Sequence, residues 1–227
     1  MRNKQNHLNA SARRLRIGLA VAASALAVCV LPATALGSVL DTTQFSVTPG
    51  SLNFGTAPDT PNLNAVTLNG QAQSTNSQMT NFSVADATGS GSGYNVTVVG
   101  DTAGGKSPVF KQYCTVANCG ADPAGYVTGG KTLAANSLTL NSTSAGFTAQ
   151  SGTTGTAPTQ SCNAGCFMDA GSAVKVISAA TGAGMGTFQT SGYTASSLAL
   201  ATPSNVSVLP TNEVYQVDLV WSLNSGP

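Results

Sequence analysis

The feature that most limits how this chain can fold is an alternation of apolar and polar residues with period two, carried in short runs and broken each time by Gly, Pro, Asn or Asp. Alternation of this kind puts every second side chain on one face of a strand, so that one face packs and the other meets water. The runs begin with Phe45-Ser46-Val47-Thr48 ahead of Pro49-Gly50, then Leu52-Asn53-Phe54, Val66-Thr67-Leu68, Gln71-Ala72-Gln73, Phe82-Ser83-Val84 and Tyr94-Asn95-Val96-Thr97-Val98. They continue with Ser137–Leu140, Ala173–Ile177, Thr187–Thr190, Ser197–Leu200 and a last strand from Val214 to Leu223. Asn69-Gly70 between two such runs predicts a hairpin. Asp86 to Gly93 and Gly182 to Gly186 read as glycine-rich turns, and Thr148–Ser161 as a long surface loop. Thr102 to Ala170 is less regular, and Val206–Leu209 leads into Pro210. No stretch longer than one turn shows 3.6-residue periodicity outside the N-terminal apolar run. The expectation is an all-β fold: a single-domain β-sandwich or barrel of roughly 8–11 short strands with long polar loops, in an order the sequence does not disclose.

The N-terminus is set apart from this pattern. Arg2, Lys4, Arg13, Arg14 and Arg16 precede an apolar run from Ile17 to Leu31, then Pro32 and the small residues Ala33-Thr34-Ala35 and Leu36-Gly37. Basic, apolar, then small is the order of a secretory signal peptide, and the run is shorter than the roughly 20 residues a bilayer core requires. Residues 1–37 are therefore read as a leader and 38–227 as the mature domain, with cleavage after Ala35 or Gly37 fitting equally. A membrane anchor is the rival reading. Arg13-Arg14 lacks the surroundings of a twin-arginine signal, and Val28 before Cys29 breaks a lipoprotein box.

Removing the leader takes away five of the nine cations, leaving four lysines against eight acidic residues, a net charge of −4 with no arginine. Nucleic-acid binding rests on neutralising phosphates with Lys and Arg, so it is disfavoured. The sole histidine, His7, also leaves. Without imidazole no Ser-His-Asp or Cys-His arrangement can be built, and the eight carboxylates are scattered beside turn residues where Asp is expected for backbone reasons. The chain is read as a non-enzyme with no cofactor and no metal. Asp86, beside the glycine-rich turn, lacks EF-hand spacing. The Asn-x-Ser/Thr triplets at Asn81, Asn95, Asn141 and Asn205 are expected by chance in so Asn- and Thr-rich a chain.

Four cysteines remain: Cys114, Cys119, Cys162 and Cys166. An even number in an exported chain reads as disulfides, and the local pairs Cys114–Cys119 and Cys162–Cys166 each close a short turn-rich loop. The rival is a zinc site, against which stand the spacings and the oxidising compartment.

The last strand carries the functional reading. Tyr215, Val217, Leu219, Trp221 and Leu223 share one face, and Pro227 ends the chain. The pattern Tyr-x3-Leu-Val-Trp-x-Leu-x3-Pro resembles the C-terminal signature of WxL-domain proteins of Gram-positive cell surfaces. Phe82 to Val98 resembles that family's upstream block, an Asp-x-x-Gly-x-Gly turn followed by Gly-Trp-x-Leu-Thr-Val, with Tyr94 for the Trp and Val96 for the Leu. Gly184-Met185-Gly186-Thr187-Phe188 resembles its late Gly-x-Gly turn. The resemblance spans about Phe45 to Pro227 and identifies a divergent member. It implies a secreted protein of the cell wall and cell surface, attached non-covalently to peptidoglycan or another wall polymer through this domain and associated with WxL-interacting surface proteins, with no membrane contact after leader removal. The candidate wall-binding residues are Trp221, Leu223, Tyr94, Val96 and Tyr193. On one reading Trp-x-Leu is a packing motif that holds the binding surface in shape; on the other, Trp221 or Tyr94 is exposed and stacks on a glycan. An alternative function is a pilus or surface-fibre subunit assembled by strand addition, with Phe45–Val47 as donor.

Overall fold

The computed structural model describes residues 42–119 and 122–227. The chain divides into Met1–Phe45 and Ser46–Pro227. The expected leader and its cleavage points lie outside the described residues, and the fold set out here is that of the second unit.

Its strands are β1 (Leu52–Thr56), β2 (Gln73–Ser77), β3 (Ser83–Asp86), β4 (Tyr94–Gly100), β5 (Lys111–Cys119), β6 (Asp122–Tyr126), β7 (Leu138–Leu140), β8 (Gly146–Ala149), β9 (Thr159–Gln160), β10 (Cys166–Phe167), β11 (Val174–Ala179), β12 (Gly186–Ser191), β13 (Leu198–Thr202), β14 (Glu213–Gln216) and β15 (Leu219–Ser225). They pair antiparallel into four sheets, in the orders β1-β3-β12-β8, β10-β7-β13-β2, β15-β4-β11-β9 and β14-β5-β6. The architecture is an all-β sandwich, with no sheet closed into a barrel. The strands are shorter and more numerous than the sequence suggests, because several are two- or three-residue pieces that alternation cannot reveal.

The first three sheets share one core. Tyr94, Val96 and Val98 of β4, Val176, Ile177 and Ala179 of β11, Leu138 and Leu140 of β7, Leu198 of β13, and Phe82 and Val84 beside or within β3 meet there with almost no exposed surface. Burying each large apolar side chain stabilises by about 1.5–3 kcal/mol. β4 runs through the middle of its sheet and alternates between buried and half-buried positions along its length, as its sequence predicts. The fourth sheet has a small core of its own, Cys114, Cys119 and Val127.

Both local cysteine pairs form, Cys114–Cys119 and Cys162–Cys166. The first lies inside a single strand. Between Cys114 and Asn118 β5 slips against β6, from Cys114↔Gly125 to Asn118↔Pro123, so β5 carries extra residues there. The disulfide closes that bulge.

Several expectations change. Phe45–Thr48 forms no strand, and the Asn69-Gly70 hairpin does not form. Gly70 does adopt a turn conformation (φ 81°), and the Gln71 N–H donates to Asn69 Oδ1. Yet Val66–Leu68 forms no strand, although Gln73 Nε2 donates to Thr67 O (2.8 Å), while β2 pairs with β13, more than a hundred residues away. β2 carries no apolar side chain that would tie it to Val66–Leu68, and a turn signal names a bend without naming the partner strand. Thr148–Ser161 is a loop only at its centre, since β8 and β9 take its ends. The last strand is two: β14 pairs with β5 and β15 with β4, the chain changing sheets at Val217-Asp218.

Lys106 secures that change of sheet. Its Nζ lies 2.8 Å from Oδ2 of both Asp101 and Asp218, and the Asp101 N–H donates to Asp218 O (2.8 Å). The hydrogen bond from Lys106 holds Asp101 below its usual value of 3.8. Burial pushes Asp218 up, but hydrogen bonds from Lys106 and Gln216 bring it below the ordinary range. A carboxylate depressed in the fold contributes stability that is present above the unfolded-state value and is lost as pH falls through the folded one. Lys106→Met is therefore expected to lower Tm slightly at pH 7, since exposed pairs contribute little. That difference should vanish well below pH 3.8 in a thermal scan; an equal deficit at pH 2.5 and pH 7 would mean that the ion pairs are not its source.

Candidate functional site

The two motif segments, far apart in sequence, are neighbouring strands. β15 lies against β4 in the register Trp221↔Val98, Leu223↔Val96 and Ser225↔Tyr94. Residues opposite one another across a ladder point to the same face, so Trp221, Leu223, Tyr94 and Val96 form one inward-facing patch. Tyr94 and Val96 are fully buried; Trp221 and Leu223 are half-buried and pack against the same core. The Trp221 ring lies 5.6 Å from that of Phe82, which lies 6.4 Å from Phe54. This row of three rings joins the β15 sheet to the β1 sheet. Burial, and secondarily the Asp86 charge, raises the Tyr94 phenol far above its ordinary value. Tyr193 is likewise buried, its phenol pushed up to about 12 by desolvation. It lines a polar recess of about 260 Å³ beside Asn141 and Thr143.

All three segments that carry the family resemblance end at the same place. The turn after β3 is anchored by Asp86, 5% exposed, whose Oδ1 accepts from the Thr88 N–H (3.0 Å) and hydroxyl (2.7 Å). Hydroxyls then follow in a line: Thr88 to Ser90 at 2.9 Å, Ser90 to Ser92 at 2.7 Å and Ser92 to Ser225 at 3.5 Å. Gly89, Gly91 and Gly93 between them have φ of 67°, 63° and 75°, a region costly for residues bearing a Cβ. The turn before β12 joins this one, because the Gly182 N–H donates to Gly91 O (2.8 Å). A Cβ on Gly184 would sit 2.5 Å from Tyr94 Cε1. The C-terminal segment completes the cluster: the Gly226 N–H donates to Gly93 O (2.9 Å) and Asn95 Nδ2 to Gly226 O (2.8 Å). A fourth loop reaches it where the Gly184 N–H donates to Thr156 O (2.8 Å). Ser90, Ser92 and Ser225 are exposed, and residues 87–93, 150–157, 180–186 and 224–227 carry no charged side chain.

A second surface has a different character. An open groove of about 1110 Å³ runs between the segment around Leu63 and the β14–β15 region, and Trp221 is part of its lining. Phe110, Val208 and Tyr215 line it as well, and every charged side chain on it is acidic: Asp59, Glu213 and Asp218. The Tyr215 hydroxyl donates to Ser207 O (2.9 Å), fixing one bank.

Sequence reasoning thus names the buried side of the site and misses its exposed side. Tyr94, Val96 and Tyr193 present almost no surface, and the exposed groups are the serines of the glycine-rich turn. The Ser-Gly alternation from Ser90 to Gly93 was the available signal. The groove was not signalled, because its lining joins irregular segments, 58–66 and 206–209, to strands of three different sheets.

Among the described residues no helix is long and apolar enough to cross a membrane, and no group of three or more His, Cys, Asp or Glu side chains gathers where it could hold a metal ion. The distinctive segments of this sandwich converge on neutral polar loops. The family model for the WxL domain, described as surface cell wall-binding, matches residues 41–227, and the chain belongs to this family. It is accordingly a wall-binding protein of the cell surface. No curated protein and no solved structure matches it.

Proposed function

We propose that the domain attaches non-covalently to peptidoglycan at the glycine-rich end, with the glycan strands as its ligand. The observation that carries this is the convergence of the Asp86–Gly93, Gly182–Gly186 and Ser225–Gly226 segments on one uncharged, hydroxyl-bearing surface. A neutral polysaccharide offers hydroxyl and amide groups and no fixed charge along its backbone, so it is matched by aligned hydroxyls and backbone amides. Tyr94, Val96, Trp221 and Leu223 act from behind, fixing the strands on which those loops are mounted. Each contact is weak, about 0.5–1.5 kcal/mol per hydrogen bond, and retention comes from several such contacts made together.

The test is co-sedimentation of the mature chain with purified sacculi. Ser90→Ala, Ser92→Ala and Ser225→Ala combined remove exposed hydroxyls, so Tm should change little, while retention should fall by about tenfold. Trp221→Ala should lower retention only in proportion to the loss of folded protein. Full retention of the triple variant would place wall contact elsewhere, and wild type left in the supernatant would mean that this domain alone does not attach.

A further inference from the structure

We infer that the segment Thr42–Thr48 of one copy adds as a strand in the groove of a second copy, so that the protein self-associates on the wall. Phe45 is 90% exposed and Val47 78%. They alternate with Gln44, Ser46 and Thr48, the pattern of a strand with one apolar face, yet residues 42–49 are assigned to no strand. Exposed apolar side chains alternating with polar ones on a segment outside any sheet suit the donor half of strand addition.

The acceptor half is the groove. β14 and β15, which line it, are each the terminal strand of their sheet, with a neighbour on one side only; β2, the end strand of a third sheet, contributes Thr75. The groove therefore lies where three sheet edges end, and such edges are templates for an added strand. Its volume of about 1110 Å³ exceeds the roughly 300–1,000 Å³ of small-molecule pockets, which suits an extended peptide. Val208, at 81% exposed the other large apolar side chain left this open, belongs to its lining. Charge does not oppose this occupant: the groove's charged side chains are acidic, and residues 42–49 carry no charge. A strand of this length buries on the order of 1,000 Å², near the lower limit for a specific interface, so the association is transient and falls in the micromolar range.

The experiment is sedimentation velocity on the chain from Ser38 to Pro227, over roughly 5 to 500 μM, a span that brackets micromolar affinity. Wild type should rise in mass with concentration. The double variant Phe45→Ser, Val47→Ser loses the donor, and Val208→Asp adds charge to the acceptor. Each should weaken association by about tenfold or more with unchanged Tm, because all three side chains are exposed. Mixing the two variants should restore one-to-one pairs, since one keeps a groove and the other a donor. Wild type that stays monomeric throughout would overturn the inference, leaving the groove to a different chain. So would association that persists in both variants, or a mixture that does not pair. Sacculus binding by both variants should match wild type, which keeps failure here separate from failure of the wall-binding reading.

Discussion

Phe82→Ala is expected to destabilise the domain by about 3–5 kcal/mol, the cost of deleting a fully enclosed phenyl ring. Phe82 has no exposed surface and is the middle ring between Phe54 and Trp221, so its removal leaves a cavity bordered by two sheets that cannot both close inward. Its backbone is fixed as well: the Phe82 N–H donates to Thr190 Oγ1 (2.9 Å), and the Thr190 N–H donates to Phe82 O (2.8 Å). Domains of this size have about 5–15 kcal/mol in total, so Tm should fall by roughly 10 °C or more. Urea unfolding followed by Trp221 fluorescence reads the loss directly, since Trp221 is the sole tryptophan. Phe167→Ala, at a side chain 48% exposed, is the matched control and should change little. Equal effects for the two phenylalanines would refute the enclosed ring row.

Gly93→Ala should be of comparable size for a different reason. Its φ of 75° lies in the left-handed region, and an added Cβ would fall 2.2 Å from Ala179 O and 2.8 Å from Ala180 O. Both obstacles are backbone, so relief requires β4 or β11 to move. Gly104→Ala isolates the conformational part, because Gly104 has φ of 60° but open space around it. There the loss should be about 1–2 kcal/mol, and at Gly93 about 3 kcal/mol or more, with sacculus binding lost as the glycine-rich end is displaced. If the two variants unfold at the same urea concentration, the close approach at Gly93 has no energetic weight.

What was legible in the sequence follows from how local its cause is. Tyr94 to Val98 could be read as a strand because each apolar residue faces the same interior and nothing interrupts the alternation. The cysteine pairs were readable because each closes a loop of a few residues. The division of the last strand was hidden because Tyr215, Val217 and Leu219 keep one apolar phase while the chain passes from one sheet to the other. β5 was hidden by its bulge, which shifts register between Cys114 and Asn118 and destroys the period. The Asn69-Gly70 hairpin was overpredicted because a turn signal names a bend without naming the partner strand. At the candidate site, Trp221 and Tyr94 were legible as aromatic residues on a patterned strand. The convergence of the three glycine-bearing segments was not, since it depends on contacts such as Gly182 with Gly91 and Gly226 with Gly93, between residues distant in sequence.

The ladder between β4 and β15 also sets an order of events. A chain made N-terminus first presents Tyr94 long before Trp221, and until β15 docks one flank of β4 is bare. A chain that has not yet received that strand is the form most exposed to aggregation and proteolysis.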